Sequence, residues 1–346
     1  MITPKLIPAH QSTDTGSWPD GEWSEELRNA VRDVPGLLSA VNLRLDQLEQ
    51  PVDNAADFPL LVPPSFVSRM TAGDANDPLL KQVLPTRQER QNQPGFVTDP
   101  LAETDVTQGF MKAPGLLQKY QSRVLLITTA GCAINCRYCF RRNFPYRDHR
   151  AGDHQHALDA IAEDTSVHEV ILSGGDPLLL GDAQLQQLLA AIDAIPHVQR
   201  IRIHSRIPIV LPQRITQGLL DALQQRRCHT VMVVHSNHPN ELNAQTLRAF
   251  TCLKQVGTTL LNQSVLLRGI NDDPQVLAKL SIQLFEQGVL PYYLHLTDHV
   301  AGTQHFFVGD EEARGIYAQL QGQLPGYLLP KLVREHSGAD SKTLMN

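Results

Sequence analysis

Aromatic residues are scarce, at 5% of 346 positions, and no run of about 18 uninterrupted apolar residues occurs, so no membrane-spanning helix is expected. An excess of positive charge is also missing. Thirty Lys and Arg against 36 Asp and Glu leave a net charge of -6, which excludes a protein that coats nucleic acid. The amino-terminal stretch MITPKLIPAHQSTD has neither the cationic nor the apolar segment of a secretory signal, and a cytoplasmic protein is expected. With 42% hydrophobic and 19% charged residues the chain is neither disordered nor fibrous. Cysteines number five, and Cys132, Cys136 and Cys139 fall within eight positions while Cys228 and Cys252 stand alone. An odd, clustered set argues for metal binding in a reducing compartment over a disulfide framework.

The first hundred residues are punctuated by Pro51, Pro59, Pro63, Pro64, Pro78, Pro85, Pro94 and Pro100, so no continuous sheet is expected there, only helical pieces at 24–32, 37–49 and 65–71. From about residue 120 the texture changes. Strand patterns at 123–129, 169–174, 200–205, 230–235, 259–267 and 292–298 alternate with helical ones, among them Leu185, Leu188, Leu189, Ile192 and Ile195 after an Asp182 cap. A second helix, carrying Val276, Leu277, Leu280 and Leu284, follows Asp273-Pro274. Six βα units without a GxGxxG loop leave an open doubly wound sheet or a partial barrel. The unusual polar residues favour the barrel, because they fall at the strands' carboxyl ends, where parallel α/β folds place their sites. They are the three cysteines, Gly174-Gly175-Asp176, His204 to Arg206, His235, Gln263 and Asp298.

Cys132-Ala-Ile-Asn-Cys136-Arg-Tyr-Cys139 is a CxxxCxxC set on a loop after a strand. Three thiolates suit an iron–sulfur cluster with one open iron, or zinc with His149, His154 or His156 as fourth ligand. Arginines 123, 137, 141, 142, 147 and 150 crowd this stretch without a lysine among them, a composition suited to fixed anion recognition or to a solvated basic face.

CxxxCxxC with an aromatic before the last cysteine, after the first strand of a βα series, resembles the signature of radical S-adenosylmethionine (SAM) enzymes. Ser173-Gly174-Gly175-Asp176 is similar to their second motif, whose backbone carbonyls accept hydrogen bonds from the methionyl amino group. From about residue 57 onward CRYCFRR, SGGDPLL, IPIVLPQRIT, NHPNE, LNQSVLLRGIND, PYYLHLTD and SKT resemble, in order, the lysine 2,3-aminomutases. NFPY after the cysteines, DPLLKQVLP and PGFVTDPL resemble the bacterial branch that makes β-lysine for elongation factor P.

The resemblance implies a partial (βα)6 TIM-type barrel in residues 106–300. An N-terminal helical and extended appendage would span 1–105, and a C-terminal closing segment 301–346. It implies a [4Fe-4S] cluster on Cys132, Cys136 and Cys139, with SAM near Ser173, Gly174, Gly175, Asp176, His235 and Gln263. Lys342 would form the internal aldimine of pyridoxal 5′-phosphate (PLP), and Lys119, Tyr120 and Arg123 would hold its phosphate. Arg141 would take the α-carboxylate of L-lysine. Asp298 would take the ε-ammonium, with Glu335 where the lysine aminomutases carry a second, shorter acid. Asp273 stands where the catabolic enzymes place a zinc-site cysteine, so no zinc is expected. The expected activity is an isomerase converting L-α-lysine to (R)-β-lysine, with a reductant protein, elongation factor P and its lysyl-transferring enzyme as functional partners and a homodimer as assembly. The rivals are an aminomutase for another amino acid such as glutamate, and a non-catalytic iron–sulfur or zinc module docking on a translation factor.

Overall fold

The computed structural model describes residues 16–91, 93–146, 154–224 and 226–345. Arg147, His149 and Arg150, singled out above, lie outside them. Ten strands form one sheet in chain order: β1 Met111–Ala113, β2 Leu116–Tyr120, β3 Arg123–Thr129, β4 Glu169–Gly174, β5 Arg200–Ser205, β6 His229–Val234, β7 Thr259–Val265, β8 Leu290–His295, β9 Lys331–Arg334 and β10 Thr343–Leu344. Strands β3 to β9 are parallel, and the pairs β1–β2, β2–β3 and β9–β10 are antiparallel.

The sequential order decides the architecture. Right-handed crossovers that never reverse direction lay every helix on one face of the sheet. The sheet then curls with its other face as a concave lumen, and among the described residues no pairing closes β10 onto β1. This is the expected partial barrel, with its six predicted strands present. The period of two separates the faces. Val124, Leu126, Val170, Leu172, Ile201, Ile203, Met232 and Val234 are all buried in the core beneath the helices. Their neighbours Arg123, Glu169, Arg202, His204, Gln263 and Tyr293 are half-buried on the lumen side.

The helix at Asp182–Asp193 buries Leu185, Leu188, Leu189 and Ile192, as its spacing predicts. Its cap differs: Gly181 occupies the N-cap position, and the Asp182 carboxylate is drawn off to Thr216 Oγ1 (3.0 Å) and Arg214 Nη1 (2.7 Å). Asp273 does cap Pro274–Glu286, accepting from Gln275 N at 2.7 Å.

The amino-terminal region is built as short helices, Glu22–Arg28, Val34–Ala40 and Pro64–Val67. The expected helix at 37–49 stops early because Asn42 adopts φ 55°, after which only a 3-10 turn forms at Leu45–Gln47. This region is tied to the barrel. Val97 N donates to His299 O at 2.9 Å, Ala301 N donates to Val97 O at 2.9 Å, and the Phe96 ring stacks on His299 at 4.9 Å.

Candidate active site

The loop leaving β3 carries the three cysteines, all free and half-buried. Arg206, just past β5, donates from Nη1 to Cys136 Sγ at 2.5 Å and from Nη2 to Gln82 Oε1 (2.7 Å) and Glu241 Oε2 (3.2 Å). Asn237 Nδ2 donates to the Tyr138 hydroxyl at 2.6 Å, so the aromatic of the motif is fixed from the β6 end. Burial, with the neighbouring thiols adding to it, pushes the Cys132 and Cys139 thiols up, the latter to about 11. A bound cation would remove that penalty. Among the described residues no three His, Cys, Asp or Glu side chains converge where a single ion could sit. A four-iron cluster takes each thiolate on a different iron, so it asks for three thiols on one loop without a single point of convergence, and this donor set fits it.

Gly174 and Gly175 are required by the chain's own backbone. At Gly174, φ is 113° and a Cβ would stand 2.7 Å from Thr129 O; at Gly175 it would stand 2.0 Å from Gly131 O. Gly175 N donates to Thr129 O (2.9 Å) and Asp176 N to Gly131 O (2.7 Å), stitching the end of β4 to the start of the cysteine loop. The carbonyls of Ser173 and Gly174 accept from Thr128 Oγ1 (3.0 Å) and the Tyr146 hydroxyl (2.7 Å). Asp176 is buried and accepts from Ser205 Oγ (2.7 Å), Arg206 N (2.8 Å), Leu178 N (3.1 Å) and Ile207 N (3.2 Å). Burial raises its carboxyl to about 6 against the pull of these bonds. It ties β4 to β5 as a buried brace.

Lys342, Glu335, Lys119 and Arg141 come together although 223 positions separate the first from the last of them in the chain. Lys342 Nζ meets Glu335 Oε2 at 2.5 Å, and the other oxygen, Oε1, takes Lys119 Nζ at 3.2 Å. Lys119 also meets Glu103 Oε1 at 2.9 Å, while Glu103 accepts from Arg141 Nε (2.7 Å) and Nη2 (2.8 Å). Arg141 Nη1 reaches Ser173 Oγ at 3.1 Å, so a continuous row of alternating charge runs from the carboxyl terminus to the second motif.

Asp298, three residues past β8, sits in the field of this row. Burial, and then the Glu335 charge, raises its carboxyl to about 7, with Lys342 and Lys119 opposing. Burial would raise Glu335 too, but Lys342 and Lys119 hold it well below the usual carboxylate range. The arginine-rich stretch is fixed on the chain's own acids: besides Arg141 on Glu103, Arg137 Nε and Arg142 Nη2 meet opposite oxygens of Glu89 at 2.8 and 2.6 Å.

Tyr120 ends β2, and the Arg123 guanidinium lies 4.6 Å over its ring. Gln263 lies in β7 in register with Tyr293, whose ring centroid is 6.0 Å from Lys342 Nζ. His235 follows β6, its ring 5.6 Å from that of His204 on β5. The Nε2 atoms of His204, His235 and His295 are all buried in the lumen without a protein partner. Burial pushes all three imidazoles down, His235 to about 4, so each is neutral near pH 7. Three orphaned, uncharged ring nitrogens beside a lysine amine suit a ligand with hydroxyls and ring heteroatoms, as a nucleoside or a pyridine cofactor has. His204 and His295 carried a legible signal, falling at strand ends like His235; Glu103, in an irregular proline-bounded stretch, carried none.

A half-barrel of sequential parallel strands with three thiols on the loop after its first parallel strand defines the radical SAM class, and residues 126–280 match the Radical SAM superfamily. The chain is 47% identical to an L-lysine 2,3-aminomutase of Haemophilus influenzae over 93% of its own length and 95% of that protein's. It is 46% identical to that of Escherichia coli, over 93% and 94%. A longer relative from Clostridium subterminale, also an L-lysine 2,3-aminomutase, is 36% identical over 94% of this chain and 77% of its own. The chain belongs to the lysine 2,3-aminomutase family, a family of isomerases, and membership implies the use of an iron–sulfur cluster and SAM. Among the described residues no helix is long and apolar enough to cross a membrane.

Proposed function

We propose that the protein isomerises free L-α-lysine to (R)-β-lysine in the cytoplasm, with PLP beside the radical cofactor and without zinc. The product would serve modification of elongation factor P by a lysyl-transferring enzyme, a reductant protein would supply electrons, and the assembly would be a homodimer. The observation that carries this reading is the charge row and the acid beside it: the buried Arg141 at one end, Glu335 with Asp298 in its field towards the other, and the Lys119 amine between them. An amino acid with a carboxylate at one end and an ammonium at the other matches that polarity.

Cys132, Cys136 and Cys139 would hold a [4Fe-4S] cluster, while Ser173, Gly174, Gly175, Asp176, His235 and Gln263 would line SAM. Lys342 would bind PLP covalently and Lys119, Tyr120 and Arg123 would hold its phosphate. When bound, these groups supply the deoxyadenosyl radical and the electron delocalisation that a 1,2-shift of an amino group needs. The chain's own part is binding, orientation and exclusion of water. Arg141 takes the α-carboxylate; Asp298 and Glu335 take the ε-ammonium. Residues 1–105, 106–300 and 301–346 divide this work, the first strapping the site, the second holding both cofactors and the third closing with Lys342. The neutral histidines accept or donate hydrogen bonds without adding charge. Anaerobic incubation of the reconstituted protein with L-lysine, SAM, PLP and a reductant, followed by chiral mass-spectrometric analysis, tests the reading. Formation of β-lysine supports it; SAM cleavage with no β-lysine moves the substrate elsewhere.

A further inference from the structure

Glu103 is 4% exposed, yet it lies in an irregular segment, 38 positions before the arginine it meets. The segment is built to deliver it. Asp99 accepts from Glu103 N at 3.0 Å and from Thr104 N at 2.9 Å, folding the chain back on itself just after the tie between Val97 and His299. The carboxylate then spends both oxygens on Arg141, through Nε at 2.7 Å and Nη2 at 2.8 Å, while Oε1 also takes Lys119 at 2.9 Å. A guanidinium has five donors. Glu103 uses the two of the side-on edge and Ser173 Oγ a third, on Nη1. One donor remains on Nη1 and one on Nη2, enough to take a carboxylate end-on.

We infer that Glu103 is a positioning residue for substrate recognition, holding Arg141 by its side-on edge so that only the end-on edge is offered to a carboxylate, and pinning Lys119 to the same frame. The inference rests on the reading of Arg141 as the receptor for the α-carboxylate. The bidentate pair fixes the guanidinium plane, and its charge is already balanced before any ligand arrives. Arg141 can then discriminate by geometry between a carboxylate and a neutral group of the same shape.

The test is calorimetric titration of cluster-reconstituted, PLP-loaded protein, without reductant, with L-lysine and with L-lysine amide, whose α-carboxylate is replaced by a carboxamide. Wild-type protein should prefer lysine. In Glu103→Gln, lysine affinity should fall about tenfold or more, while amide affinity changes little, so that the preference collapses. Glu103→Asp, which keeps the charge but shortens the reach and threatens the fold less, should show the same collapse in part. Melting temperature and cluster absorbance, followed alongside, report the fold. If both variants lose thermal stability yet keep the full lysine-over-amide preference, Glu103 merely holds the fold and the inference is overturned. If wild-type protein itself shows no preference, the reading of Arg141 fails and takes this inference with it. The two failures are therefore distinguishable in one data set.

Discussion

Asp298 is the residue whose charge the site controls most directly. Burial and the Glu335 carboxylate raise its acid form to about 7, so near neutral pH it is half-protonated and cannot fully pair with an ammonium. On the proposed reading of Asp298, substrate binding needs the ionised form. Lysine affinity should therefore strengthen as pH rises through about 7, by roughly tenfold between pH 6 and 8, while the ammonium of lysine stays charged. Glu335, held low by its two lysine partners, contributes no limb in this range. Asp298→Asn should bind lysine weakly with that limb gone; a limb that persists in the variant would assign the titration elsewhere. Lys342→Ala makes a second residue-scale prediction. It should lose the covalent PLP absorbance while retaining iron and sulfide, because the cysteine loop is held directly by Arg206 and by its backbone bonds to the end of β4, with Lys342 in contact with neither.

At the scale of elements, the end of β4 and the cysteine loop behave as one unit. Gly175→Ala forces a Cβ against Gly131 O. It should cost roughly 2–4 kcal/mol of stability and reduce iron content after reconstitution; full iron loading would show that the loop tolerates the shift. Within β4 itself, Leu172→Ala opens a cavity under the helices and should cost about 2–5 kcal/mol with the cluster spectrum unchanged. The parallel strands β3 to β8 were legible because each is a β-branched or leucine-rich run with polar residues in it or just past its carboxyl end, though β8 ends at His295, leaving Asp298 on the loop. The hairpin β1–β2 escaped notice even though Pro114-Gly115 marks its turn, with Gly115 at φ 74°. Strand β9 is too short to show a period; only its pairing with β8 and β10 makes it a strand. The thiols were legible from spacing. The roles proposed for Lys342, Arg141, Asp298 and Glu335 were legible only through a known family, since spacing cannot announce a site assembled from three distant segments. Glu103 was invisible because long-range charge pairing leaves no local pattern.

Over the whole molecule, the appendage and the carboxyl-terminal strands do what the barrel alone cannot. The first delivers Glu103 and Glu89 to the arginines, and β9–β10 bring Glu335 and Lys342 to the open edge of the sheet. Folding therefore buries a charge row, and its pH dependence has a definite sign. Glu103 would be raised by burial but is held at about 2 by Arg141 and Lys119, and Glu335 is likewise depressed. Their stabilisation is present above the unfolded carboxyl range and is lost as pH falls below about 4.5 toward 2. Asp298, raised instead, contributes in the opposite sense between about 4 and 7, favouring the fold at the acid end. The melting temperature should thus fall steeply below pH 4, and Glu103→Gln should flatten that fall; an unchanged acid limb would mean the row adds nothing to stability. The most direct test of the central claim is the anaerobic incubation with free L-lysine, SAM, PLP and reductant, read by chiral mass spectrometry. One enantiomer of β-lysine, the R form, is predicted, and its absence from protein that carries an intact cluster and cleaves SAM would contradict the account.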